Sequence, residues 1–126
     1  MEVPRALRGW FVFHFVADYI FAIPLLIAPV WFLGLFGWEC VDPISARLVG
    51  AALVGIGGES LLGRNADIES FRTMLRMKVL WSSTAVVGIG ISMLQGAPPA
   101  GWAFFGTFVL FNALWVSWAL RLRRRG

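Results

Sequence analysis

The sequence has little of what soluble catalysis needs. It holds one cysteine, Cys40, so no internal disulfide and no CxxC redox pair can form. Its single histidine, His14, has no HxxxH partner and no Cys/His set around it, so no metal site is expected and no cofactor is evident. P-loop, GxGxxG, nucleophile-elbow and zinc-binding motifs are absent. Charge is scarce too: charged residues make up 14% of the chain, against about 25% in globular domains.

What is there is apolar. Hydrophobic residues are 59% of 126, more than so small a soluble domain could bury. Nearly the whole chain is therefore expected inside a bilayer, as one all-α domain of four transmembrane helices. The first span covers about 10–36; it is too long for a signal h-region, lacks a small-residue cleavage pattern and is read as retained. Pro24 and Pro29 lie inside it and predict a kink near Ile20 to Leu25. The loop GWECVD ends in Asp42, an N-cap followed by Pro43 at the first helical position. The second span is 43–63, the third 68–94 with Asp67 as its cap, and the fourth 101–120 after GAPPA. Short connections predict an antiparallel up-and-down bundle, a fold class in which neighbours in sequence are neighbours in space.

Basic residues fix the expected orientation. Of the eleven Lys and Arg residues, only Arg47 falls on the side that also holds Glu39 and Asp42. The other ten (Arg5, Arg8, Arg64, Arg72, Arg76, Lys78 and the four arginines of RLRRRG) fall on the opposite side. By the positive-inside bias both termini are expected in the cytoplasm, in an inner or plasma membrane. A net charge of +4 distributed in this way predicts contact with anionic lipid headgroups and not with nucleic acid.

Ionisable groups within spans cost about 2.5–3.5 kcal/mol each at mid-membrane and call for a reason. With the N-terminus inside, Asp18 lies about 12 Å beyond Trp10 at 1.5 Å per residue. Glu59, Lys78 and Asn112 fall at similar depth on the other three spans, and His14 is one turn from Asp18 on the same face. A polar layer of His14, Asp18, Glu59, Arg76, Lys78 and Asn112 is expected in the cytoplasmic half, either fixing helix register or working on a ligand. Arg47 is expected to snorkel outward toward Asp42 or Glu39. Reading span two by fours, Arg47, Ala51, Gly55, Glu59 and Gly63 form a small-residue face expected to meet another helix. Close packing is also expected at Gly50, Gly57 and Gly58, and at Thr84, Gly88 and Ser92 of span three.

The segment WFLGLFGW, the short acidic loop, and DPISARLVGAALVGIGG resemble the small DoxX-like four-helix membrane proteins of bacteria and archaea. That resemblance implies a four-helix integral membrane protein and carries over no catalytic residue. The leading expectation is a non-enzymatic or accessory membrane subunit, as a homo-oligomer or within a larger complex. Two others stay open: a small-molecule or proton-coupled transporter with Asp18 as coupling group, and a membrane enzyme or lipid-binding protein for a hydrophobic substrate using His14, Asp18 and Glu59.

Overall fold

The structure, a computed structural model, describes residues 1–125. It is all-α: 81% helical, with no strand among the described residues. The helices are α1 (Arg5–Ile27), α2 (Pro29–Gly34), α3 (Pro43–Leu62), α4 (Ile68–Leu94) and α5 (Gly101–Arg125). All except α2 are long and apolar enough to cross a membrane. Packing groups them into two compact units, one spanning Val3–Ala66 and one running from Asp67 onward together with Met1–Glu2.

In the first unit α1 and α3 form an antiparallel hairpin. Gly50 lies against Ala22, Leu25 and Leu26, whereas Gly57, two turns on, lies against Asp18 and Tyr19. Between them the Tyr19 hydroxyl donates to the Val54 carbonyl at 3.2 Å. At the open end the Arg8 guanidinium donates to the carbonyls of Arg64 and Ala66.

The chain breaks at Ala28, later than the region around Ile20 to Leu25 where the prolines predict a kink. Pro24 sits within continuous α1, but Ala28 leaves the helical region (φ −143°, ψ 66°). The residue before a proline is forced toward extended geometry, and Pro29 then opens α2 as its first residue. Gly37, with φ 100°, makes the following turn in a conformation side-chain-bearing residues rarely adopt. α3 starts where expected: the Asp42 carboxylate accepts from the Ile44 amide at 3.1 Å and the Ser45 hydroxyl at 2.6 Å.

The second unit is a hairpin of α4 and α5. Asp67 caps α4 by accepting from the Ser70 amide at 2.9 Å. Among the described residues positive φ returns only at Gly96, where α4 gives way to the Pro98–Pro99 turn. Close to that turn Gly101 packs on Met93 and Gly90 on Phe105. Further along the pair Trp81 meets Phe108 edge-on, and at the far end an Arg72 nitrogen donates to the Leu122 carbonyl at 3.3 Å. Each step forward on α4 is matched by a step back on α5, so the two run antiparallel.

Candidate polar sites in the two hairpins

In the first hairpin the i, i+4 spacing of His14 and Asp18 places both on the buried face of α1. His14 Nε2 lies 3.3 Å from Asp18 Oδ1. The second carboxyl oxygen, Oδ2, is buried and has no hydrogen-bond partner among the described residues. It looks onto Gly57: a Cβ built there would come within 2.8 Å of Asp18 Cβ and 3.1 Å of Oδ2. Gly57 is thus the absence of a side chain that lets the carboxyl sit between the helices. Buried carboxyl oxygens are nearly always hydrogen-bonded, and this one is the exception among the described residues.

The second hairpin buries its own polar set. Lys78 is among the most completely buried side chains, and its Nζ stands 4.9 Å from the centroid of the Trp115 ring. Ammonium over indole is a favourable electrostatic contact in a desolvated setting. Asn112 Nδ2 donates to Ser82 Oγ at 2.9 Å and Ser83 Oγ at 2.8 Å. The two serines were missed in the sequence reading of the layer. They could have been found from hairpin register, since Ser82 and Asn112 stand at equal separations from Ala97 in the turn.

Two members of the expected layer are exposed, and a third, Asn112, is only half-buried. Glu59 is on the exposed side of α3 and Arg76 on the exposed side of α4. The packing face of α3 is also rotated from the one read by fours. Its buried residues are Ala46, Gly50, Leu53, Gly57 and Ser60, whereas Arg47, Ala51, Gly55 and Glu59 are exposed. A step of four residues overshoots a turn by about 40°, so a strict four-residue stripe winds around the helix. Alternating steps of four and three keep to one seam against a neighbouring helix. The same correction applies on α4, where Thr84, Gly88 and Ser92 are exposed and the buried set is Phe71, Met74, Leu75, Lys78 and Ser82. Of the expected packing positions, Gly50 and Gly57 are tightly enclosed and Gly58 meets the Tyr19 hydroxyl; Gly55 and Gly88 have open space beside them.

Arg47, exposed on α3, bonds to the end of α1 and not to Asp42 or Glu39. Its Nε donates to the Leu26 carbonyl at 3.0 Å. The break at Ala28 frees the last carbonyls of α1, and a guanidinium is a suitable cap for them. No group of three His, Cys, Asp or Glu residues that could hold a metal ion exists among the described residues. No family model, curated protein or solved structure matches the chain.

Proposed function

We propose that this chain is a non-enzymatic, accessory multi-pass protein of a bacterial or archaeal plasma membrane, of the DoxX-like kind, with both termini in the cytoplasm. One observation carries the reading: large apolar side chains are exposed along the long helices, while several polar groups are buried in a mainly apolar interior. Ile27, Leu62, Leu94 and Leu110 are each more than 70% exposed, while His14, Asp18, Ser60, Lys78 and Ser82 are buried. Water disfavours that much exposed apolar surface; hydrocarbon rewards it. The exposed small residues Ala51, Gly55, Thr84 and Gly88 support assembly with a second copy or another membrane subunit, because they allow close helix approach.

The orientation is testable on the unaltered protein. Cys40 is the sole cysteine, is exposed, and lies in the loop between α2 and α3, which the proposed topology puts across the membrane from both termini. A membrane-impermeant maleimide is expected to label it in intact cells and not in sealed inside-out vesicles. The reverse pattern would overturn the orientation, and labelling of a freely soluble protein would overturn membrane insertion.

A second reading, a proton-coupled or small-molecule transporter, is favoured by Asp18 Oδ2, a buried oxygen with no partner among the described residues. On that reading Asp18→Asn abolishes substrate-driven proton movement in proteoliposomes while leaving helicity unchanged. Wild-type vesicles that move no substrate, with a variant that is merely less stable, leave the accessory role as the better account.

A further inference from the structure

A groove of about 540 Å³ opens on the α4/α5 hairpin, and no carboxylate lines it. Arg72 and Arg76 reach it from the first turns of α4 and Arg123 from the last turns of α5. Leu75 and Leu122, both buried, and the more outward Val79 and Leu80 supply an apolar wall. Arg72 is anchored by Glu69 and by the Leu122 carbonyl. Arg76 and Arg123 are exposed and make no hydrogen bond or ion pair with any described residue.

The geometry points to a binding site for one net-anionic glycerophospholipid, its phosphate held by the three guanidiniums and one acyl chain laid along Leu75, Val79 and Leu80. Guanidinium forks match phosphate oxygens in pairs, and two of the three, Arg76 and Arg123, have no carboxylate partner among the described residues, so the groove selects negative charge. Leu80 lies about 12 Å beyond Arg72 along α4, so the groove changes from cationic to apolar over the depth at which a lipid does the same. A free phosphate would satisfy the arginines and leave the apolar wall bare. The assignment rests on the bilayer placement proposed above and adds a named ligand to it.

The test uses full-length protein, delipidated in detergent, with lipid binding measured by native mass spectrometry. Phosphatidylglycerol is expected to bind at least tenfold more tightly than phosphatidylcholine. Each near-surface arginine contributes about fivefold to anionic-lipid binding, so Arg76→Gln/Arg123→Gln should weaken phosphatidylglycerol roughly 25-fold. Arg5→Gln/Arg124→Gln, which removes equal charge from residues that do not line the groove, should change binding less than twofold. Ala119→Trp fills the groove without touching its charges and should block the site; far-UV circular dichroism checks that each variant is folded. Equal losses in the two double variants, unaffected binding in Ala119→Trp, or displacement of the lipid by equimolar inorganic phosphate would overturn the proposal. A protein that failed to enter bilayers would instead overturn the membrane reading, which the Cys40 labelling decides independently.

Discussion

At the scale of single residues, the contact between Gly57 and Asp18 leaves no room for a side chain. Helical glycine is ordinarily a cost of about 0.5–1 kcal/mol relative to alanine. At Gly57 that cost is outweighed, because any side chain would meet Asp18 inside van der Waals distance. Gly55, half a turn away, has nothing within 4 Å and no such excuse. Gly57→Ala is therefore expected to destabilise the first hairpin by about 1–3 kcal/mol, the usual range for overpacking. Gly55→Ala is expected to be neutral or stabilising by up to about 1 kcal/mol. Thermal unfolding of the two variants in one detergent, followed by circular dichroism, checks the contrast. Equal midpoints would mean that α1 and α3 do not meet at Gly57.

At the scale of helices, starts and stops follow local chemistry. Asp42 and Asp67 both cap helices from the water-exposed connections, and both carboxyls are held below the usual aspartate range. For Asp42 the Ser45 hydroxyl is the main cause, followed by the Ile44 amide. For Asp67 it is the Ser70 side chain, followed by the Ser70 amide. A carboxyl with a lower pKa folded than unfolded stabilises the fold at any pH above its unfolded value, and that contribution is lost as pH falls through the folded one. Amide protection in the first turns of α3 and α4 is thus expected to be constant through neutral pH and to fall below the ordinary 3.8. Asp42→Asn keeps an acceptor at the cap but removes the titration, so protection at Ile44 should become independent of pH in that variant. Hydrogen exchange corrected for intrinsic rates measures both.

The same locality explains what was legible. The starts of α3 and α4 can be read from Asp42–Pro43 and Asp67 because caps act over three or four residues. The His14–Asp18 pair is one helical turn and equally readable. The seam of α3 is not, because its apolar residues surround the helix and give no direction. Only the partner helix selects Gly50 and Gly57 over Ala51 and Gly55, and with that choice Glu59 is turned outward. The Ala28 break falls later than expected for a related reason: either proline can disrupt a helix, but α1 runs on through Pro24 and only Pro29 begins a new one.

At the scale of the molecule, each hairpin carries its own topological signal. The first has Arg5, Arg8 and Arg64 at its open end and Arg47 at its closed end; the second has all of its basic residues at or toward the open end. Orientation follows the imbalance of Lys and Arg near the span ends, with acids contributing little. The two halves should therefore insert independently when residues 1–66 and 67–126 are made as separate chains, each with both ends in the cytoplasm. Their robustness should differ. In the 1–66 half, Arg5→Gln/Arg8→Gln/Arg64→Gln leaves Arg47 as the only basic residue, and the hairpin is expected to invert, carrying Cys40 to the cytoplasmic side. In the 67–126 half, with basic residues on both α4 and α5, loss of Arg72 and Arg76 together should leave the orientation unchanged. Impermeant maleimide labelling reads the first half through Cys40, and a cysteine introduced at Ala97 reads the second. Inversion of the second half on losing two arginines, or a first half that keeps its orientation with Arg47 alone, would show that topology is set by the whole chain and not hairpin by hairpin.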